Sequence, residues 1–344
     1  MRVPRPRTRW GALAVVGLAL VGAGALVVWH GPETSLLTDA FRAVSWGWVI
    51  AAVLINLLSV VVRSSAWRVV IHQAIPPPQP RRRVVFSAFC VGLLGNAALP
   101  GRVGELARVA VVTRHLRRRP GTWATIVGTV FAHRLFDVVA AVALVLYVLY
   151  TARIPSWARP GLAIIIGVGL GLLFAGFLLA RRHRRPLHEE LGAFRRVLRL
   201  ARHGLTVLRR PGPAVLALFF QLLGWTAQLF AVWAAFRAFQ IDHLGLPEAA
   251  LILLLMNVVT VFPFWPGNVG LMQAAIAFAL LRYGVAYPHG FAYGIGLQAI
   301  EASVGVGLGL VFLAREGFSF AMLRRMPEVT EVDVEEDERV ERIA

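Results

Sequence analysis

Several apolar runs in this sequence are as long as the hydrocarbon core of a bilayer is thick, and this constrains the fold more than any other feature. A helix needs roughly 18–20 mostly apolar residues to cross that core. We therefore predict an all-α polytopic membrane protein, and we expect no appended soluble domain of ordinary size, about 50 residues or more. The predicted full spans are Gly11–Trp29, Trp46–Val62, Thr122–Tyr150, Gly161–Ala180, Pro213–Phe239 and Phe291–Ala314.

Two further apolar stretches are interrupted by the same motif, Pro-Gly-x-Val-Gly. It occupies Pro100–Gly104 and Pro266–Gly270, and an apolar, helix-like segment lies on either side of each copy. Unpaired backbone groups are costly in lipid, so such a break is tolerated only where protein or water satisfies them. Paired interruptions in two halves of a membrane protein indicate a transporter-type binding site.

The placement of arginine indicates how the spans are oriented. The net charge is +18 and lysine is absent, so arginine alone provides the positive charge that marks cytoplasmic loops. Both ends of Val84–Thr113 are basic, whereas both ends of Ala249–Arg282 adjoin loops poor in positive charge. We predict two re-entrant hairpins that enter from opposite faces as an inverted repeat, with both termini cytoplasmic. If the second broken stretch is instead two full spans, the orientation of the rest is unchanged.

The predicted membrane domain covers residues 1–314, and the N-terminal apolar run, too long for a cleaved signal, is interpreted as a retained first helix. Residues 181–212 form a basic cytoplasmic segment, either an amphipathic helix on anionic lipid or a solvated loop. Residues 315–344 form an acidic tail that we expect to be disordered. Because the arginines flank apolar runs, we do not expect nucleic-acid binding, and the single cysteine, Cys90, excludes an intramolecular disulfide.

Three acids lie within apolar segments, where ionisable groups are rare and usually functional. They are Glu105, Asp137 and Glu301. Arg134 lies three residues before Asp137 on the same helix face, so the two form either a neutralising pair or part of a site. Glu301 has no arginine within reach on its own helix, and we expect a partner from elsewhere, Arg102 or Arg134.

The residues that follow each break are candidates for binding a headgroup. Arg102, Glu105 and Arg108 open the helix after the first break, and helix N-termini and arginines both bind phosphate. The alternative is that these arginines are ordinary flanking charges. After the second break, Asn268 and Gln273 could hydrogen-bond a headgroup or cap the helix.

Other chemistry finds little support in the sequence. Its histidines and acids show no metal-ligand spacing, and it has neither a phosphate-cradling loop nor a Ser-His-Asp grouping. We therefore predict no cofactor and no enzymatic activity. Isolated polar residues in apolar helices are interpreted mainly as interhelical hydrogen-bonding groups, namely Asn96, Gln221, Gln228, Asn257 and Gln298.

Five motifs together resemble the lysylphosphatidylglycerol synthase transmembrane family, also called the flippase-like domain, over roughly residues 10–315. In bifunctional members such a domain precedes a cytoplasmic aminoacyl-lipid synthase and is linked to flipping of the product. We expect only the acidic tail after the membrane domain and no synthase, so the resemblance implies translocation rather than aminoacyl transfer. Many members carry glutamate where this chain has Gln273. The motifs are Ala66-Trp-Arg-Val-Val70, Asn96-x-x-Leu-Pro-Gly-Arg-Val-Gly-Glu-x-x-Arg108, His133-Arg-x-x-Asp137, Pro263-x-x-Pro-Gly-Asn-Val-Gly-x-x-Gln273 and Glu301.

The expected function is that of a bacterial plasma-membrane translocase for an anionic or aminoacylated phospholipid or a polyprenyl-phosphate-linked lipid. The acids would balance charge or relay protons. Expected partners are the lipid substrate, anionic lipids at the cytoplasmic face and a separate cytoplasmic synthase. Two alternatives remain: a lipid-modifying enzyme with Glu105 or Asp137 as acid/base, and a scaffold that recruits a synthase. The predicted substrate-binding residues are Asn96, Arg102, Glu105, Arg108, Arg134, Asp137, Asn268, Gln273 and Glu301.

Overall fold

The architecture of the chain was obtained as a computed structural model. It describes residues 34–98, 103–116, 122–153, 158–181, 205–261 and 268–317. Both Pro-Gly pairs, Arg102, the predicted first span, most of the basic segment and the acidic tail lie outside the described residues. The predictions for those parts therefore stay predictions.

Every element of the described residues is helical, as the apolar runs predict. A short 3-10 turn, Leu205–Arg209, precedes the seventh α-helix. Four helices, α2, α5, α7 and α10, are long and apolar enough to cross a membrane. The α-helices are α1 (Thr34–Arg42), α2 (Trp46–Ala74), α3 (Arg82–Ala98), α4 (Gly104–Arg114), α5 (Thr122–Thr151), α6 (Ala158–Arg181), α7 (Pro211–Ala238), α8 (Leu246–Val261), α9 (Leu271–Leu281) and α10 (Tyr287–Arg315).

Three segments that lie outside the predicted spans and broken stretches, and that are therefore expected as loops, are helical. The loop expected before Trp46 contains α1, and the loop expected around Tyr287 is the first turn of α10, where Pro288 occupies a position that tolerates proline. The third difference matters most for the site: α2 does not end at Val62 but continues to Ala74, so Arg63 and Arg68 lie within the helix.

The long helices α2 and α7 pack along each other in opposite directions at the centre of the bundle. The backbone N–H of Ser45, just before α2, donates to the Ala238 carbonyl at the end of α7. The Ser59 hydroxyl donates to the Gly224 carbonyl at 2.8 Å, and beyond the other end of α7 the Thr206 hydroxyl donates to the Gln73 carbonyl at 2.9 Å. The helices are therefore antiparallel along almost their whole length.

The packing around this central pair is repeated in each half of the chain. If α2, α3, α4 and α5 are exchanged with α7, α8, α9 and α10, each helix contact is converted into another contact that is also present. Thus α3 packs on α10 as α8 packs on α5, and α4 packs on α5 as α9 packs on α10. Since α2 and α7 are antiparallel, the exchange turns one half upside down relative to the other.

Two hydrophobic clusters occupy opposite ends of the bundle. One contains α3 and α4 with the second half of α2 and the first half of α5, including Trp67, Phe89 and Ile126. The other contains α8 and α9 with the second half of α7 and the first half of α10, including Phe236 and Tyr293. The middle turns of the long helices lie between these clusters, and there the polar residues meet.

Glycines allow α3 and α4 to touch backbone to backbone. At the start of α4, a Cβ on Gly104 would overlap the Gly92 carbonyl oxygen and lie 2.6 Å from Asn96 Oδ1. One turn later Arg108 passes over the ring of Phe89, with its guanidinium carbon 4.2 Å from the ring centroid. The helix α4 therefore runs back along α3 as a tight antiparallel hairpin.

Candidate functional site

A series of hydrogen-bonded charged and amide side chains joins the middle turns of the long helices. At its centre is Arg63 on α2, whose Nη2 lies 3.0 Å from Oδ1 of Asp137 on α5. Both side chains are largely buried, with 18% and 11% of their surface exposed. Removing two charges from water is costly unless they are paired and hydrogen-bonded, and both conditions hold here.

Asp137 accepts hydrogen bonds from four side chains, including that of Arg63. Its Oδ1 also accepts hydrogen bonds from the Trp225 indole N–H, at 3.0 Å, and from the Gln221 amide. Its Oδ2 accepts from Arg134 Nη1 at 3.0 Å. Two cations and two neutral donors thus stabilise the ionised carboxylate, which is held in one orientation.

The series of polar side chains continues from Asp137 through Arg134 to Glu105, which lies in the first turn of α4. The Arg134 Nη2 group donates to Glu105 Oε1, which also accepts from the Asn96 amide at 3.4 Å. The second oxygen of Glu105 lies 3.4 Å from Arg108 Nη1. Of the charged side chains in this part of the series, Arg134 is the most exposed, at 35%, whereas the Arg108 side chain is only 2% exposed.

In the other direction the series of polar side chains reaches the second half of the molecule. Arg63 Nη1 donates to Gln228 Oε1 on α7 at 3.4 Å, and Gln228 Nε2 donates to Glu301 Oε1 on α10 at 3.1 Å. A continuous series of hydrogen bonds therefore runs from α4 through α5, α2 and α7 to α10. It connects all three acids that the sequence places within apolar segments.

The second half has a neutral version of the link between Glu105 and Arg134. The Gln273 amide, in the first turn of α9, donates to Gln298 on α10. Gln298 precedes Glu301 by three residues, just as Arg134 precedes Asp137. The Gln273 oxygen also accepts from the Gly270 N–H at 2.6 Å and so caps α9. The corresponding links are thus ionic in one half and built from amides in the other.

The structure brings most of the predicted site residues together. Asn96, Glu105, Arg108, Arg134, Asp137 and Glu301 belong to one connected set, and Gln273 lies one contact away from the α10 turn that carries Glu301. Asn268, 3% exposed, donates instead to the Val259 carbonyl at 2.8 Å and so ties the second break to α8. Among the described residues the partner of Glu301 is Gln228 rather than Arg134, which pairs with Glu105 and Asp137; the other expected partner, Arg102, lies outside them.

Sequence reasoning missed the residue at the centre. The predicted span ends at Val62, which leaves Arg63 in the basic cytoplasmic loop expected after it, because positive charges next to an apolar run usually lie in a cytoplasmic loop. Its role depends on Asp137, 74 residues later, and no local pattern reveals such a pairing. Gln228 had been interpreted as an ordinary interhelical hydrogen-bonding group, and it is also the bridge between the two halves.

The link between Glu105 and Arg134 can be tested by a double-mutant cycle. We expect Glu105→Gln and Arg134→Gln each to lower the free energy of unfolding by roughly 1–3 kcal/mol, because each removes one of the two opposite charges that a partly buried group contacts. The double variant should be clearly more stable than the sum of the two losses predicts. The measurement is unfolding in detergent, and strictly additive losses would contradict the pairing.

Within the described residues, no group of three or more His, Cys, Asp or Glu side chains could hold a metal ion. The arrangement instead offers fixed charges of both signs in the middle of an apolar bundle. Such a site can bind a polar group at membrane depth without exposing it to lipid.

Comparison with known proteins gives one match, to the family model described as "Lysylphosphatidylglycerol synthase TM region", over residues 12–319. The comparisons with curated proteins and with solved structures give no match.

Proposed function

Since this chain belongs to the family of the lysylphosphatidylglycerol synthase TM region, we propose that it is a lipid translocase. The substrate is an anionic or aminoacylated phospholipid or a polyprenyl-phosphate-linked lipid, and the site of action is the plasma membrane. The polar headgroup crosses through the bundle while the acyl chains stay in lipid. The proposal involves no covalent step.

The observation that carries this proposal is the series of charged and amide side chains that runs from Glu105 to Glu301. Charged side chains at membrane depth are expensive and mark pathways for ions or polar substrates. A purely structural bundle of this size would be simpler with apolar residues at these positions, because well-packed apolar replacements of buried ion pairs are often neutral or stabilising.

The repeated and inverted packing supports the same conclusion. Transporters built from inverted repeats bind their substrates near the bilayer midplane, where discontinuous helices meet. Here α4 and α9 have 11 residues each, about 16 Å of helix, which is too short to cross a core of about 30 Å. We propose that each forms half of a re-entrant hairpin, and that the two hairpins enter from opposite faces.

The contacts suggest distinct roles for the arginines. Arg134, the most exposed, and Arg102, which lies outside the described residues, would contact the phosphate. Arg108 is enclosed between the rings of Phe89 and Trp67, so it would position Glu105 rather than touch the headgroup. Bidentate arginine contacts suit a phosphate geometrically.

Headgroup transfer in vesicles tests the proposal. Purified protein would be reconstituted with fluorescent phosphatidylglycerol or its lysyl ester, and transfer would be followed by quenching from outside. We expect Arg134→Gln and Arg102→Ala each to slow transfer at least tenfold, because each removes a charge that balances the phosphate in low dielectric.

Arg237→Ala is the matched control, because Arg237, in the last turn of α7 and away from the charged set, pairs with Asp242 in the exposed segment that follows, and surface pairs contribute little. It should transfer lipid at the wild-type rate. Wild-type protein that transfers no faster than empty vesicles would exclude the function for these lipids, and wild-type rates in both site variants would exclude the site.

A further inference from the structure

One of the three buried acids differs from the other two in its surroundings. Asp137 and Glu105 are each approached by two arginines. Glu301, in the described residues, is hydrogen-bonded only to the neutral amide of Gln228 and makes no ion pair. Among the described residues, the middle of the bundle therefore contains two carboxylates that contact arginines and a third, Glu301, that contacts no positive charge directly.

The elements packed on α10 provide no direct counter-charge for Glu301. On α7 the facing group is Gln228, and on α2 it is Arg63, which reaches Glu301 only through that amide. The helix α9 contributes the neutral Gln273, through Gln298. The helix α3 contacts α10 near Gly305 and Gly309 through Leu93 and Leu94.

The remaining charges near α10 lie at its ends or pair with each other. Ser87 on α3 and His115 after α4 contact Glu316, beyond the end of α10. Asp39 and Arg42 of α1 pair with each other and are exposed. On α10 itself, the Tyr293 hydroxyl donates to the Val232 carbonyl.

A carboxyl group in such surroundings exchanges a proton more readily than a carboxylate held by arginines. An opposite charge in direct contact favours the ionised form of a carboxyl. Arg63 acts on Glu301 only from the far side of the Gln228 amide, so this preference is weaker at Glu301 than at Asp137 or Glu105. The Gln228 amide can satisfy Glu301 in either state, because Nε2 donates to an ionised or a neutral carboxyl and the amide oxygen can accept from the O–H.

Protonation would also change the net charge of the whole set. Among the described residues of the set, the three arginines Arg63, Arg108 and Arg134 balance the three acids Glu105, Asp137 and Glu301 when all six are ionised. A proton on Glu301 leaves one positive charge, which an anionic phosphate headgroup neutralises. Binding of a proton and binding of an anionic headgroup would therefore favour each other.

We propose that Glu301 is a proton-binding site that couples lipid translocation to a proton gradient. The carboxylate takes a proton from water on one side, the anionic headgroup joins the positively charged set, and both leave on the other side. No other bond forms or breaks. This inference rests on the proposed translocase function and adds its driving force.

The first test does not depend on transport. Infrared spectra of the purified protein would be recorded as a function of pH, in wild type, Glu301→Gln and the control Glu248→Gln, whose carboxylate caps the start of α8 through the Gly245 N–H. We expect the carbonyl band of a protonated carboxyl in the wild type and in the control, and its loss in Glu301→Gln. A band that persists unchanged in Glu301→Gln overturns the assignment.

The second test measures coupling in vesicles that contain fluorescent phosphatidylglycerol, with and without an imposed pH gradient. We expect the gradient to accelerate transfer severalfold in wild type and Glu248→Gln, and to have no effect on Glu301→Gln. Glu301→Asp, which keeps a carboxyl group, should retain a response and guards against misfolding of the amide variant.

The outcomes separate the two proposals. Rapid wild-type transfer that ignores the gradient overturns proton coupling and leaves the translocase function intact. Absence of wild-type transfer for every lipid tested overturns the translocase function, and coupling with it. A gradient response that survives in Glu301→Gln overturns the role of this residue alone.

Discussion

Replacement of Gly104 by alanine is expected to destabilise the protein by about 3 kcal/mol, the upper part of the usual range for overpacking. The added methyl group would overlap the Gly92 carbonyl oxygen and lie 2.7 Å from the Asn96 backbone nitrogen. Backbone atoms of an adjacent helix cannot rotate away as a flexible side chain can, so α4 must shift on α3. The measurement is the unfolding transition of the purified protein in detergent.

The same substitution also tests whether the position of α4 sets the contact between Glu105 and Arg134. A shift of α4 would move Glu105 away from Arg134, so we expect lipid transfer to fall together with stability. Gly171→Ala in α6 is the matched control, because a Cβ there meets no atom within 4 Å and alanine favours a helix by roughly 0.5–1 kcal/mol. Equal stability of Gly104→Ala and Gly171→Ala would contradict the close packing of α3 and α4.

Replacement of Arg63 by alanine is expected to abolish lipid transfer and to cost roughly 3 kcal/mol of stability, because breaking a buried ion pair leaves an uncompensated charge. Asp137 keeps Arg134 as a partner, which holds the loss near the lower end of the range of about 3–5 kcal/mol for such pairs. The link between Asp137 and Gln228 would also disappear. Transfer assays and unfolding of the same preparation measure both effects.

A second substitution distinguishes lost pairing from general damage. In the Arg63→Ala background, Asp137→Asn removes the charge that the first change exposes, so the double variant should recover part of the lost stability. It should not recover lipid transfer, because the hydrogen bonds that join Asp137 to Gln228 through Arg63 are still missing. A double variant whose loss equals the sum of the two single losses would show that Arg63 and Asp137 are not coupled.

The helices were largely predictable because their cause is local. A long apolar run favours a helix wherever the backbone must satisfy its own polar groups, and Thr122–Tyr150 was predicted within one residue of the observed α5. The error at Arg63 has a physical reason. Arginine is a good helix former, so a charge at the end of an apolar run does not stop a helix when a partner can neutralise it.

The site was predictable only in part. The spacing of Arg134 and Asp137 on one helix indicates their contact, which the structure contains at 3.0 Å. The links from Arg134 to Glu105 and from Gln228 to Glu301 join helices far apart in the chain, and they depend on packing that hydropathy does not encode. Single polar residues in apolar helices are therefore informative in sets, once the fold shows which of them meet.

The interchangeable packing of the two halves has a consequence for the proposed translocation. If the protein is a translocase, its equivalent but inverted halves would allow two conformations that use the same kinds of contact, one open to each leaflet. We expect a substitution that tightens only one half to bias the protein toward one leaflet, and the equivalent substitution in the other half to bias it the opposite way. A preferred direction of lipid movement would then arise because the link between Glu105 and Arg134 is ionic whereas the link between Gln273 and Gln298 is not, and the helix arrangement itself would favour neither direction.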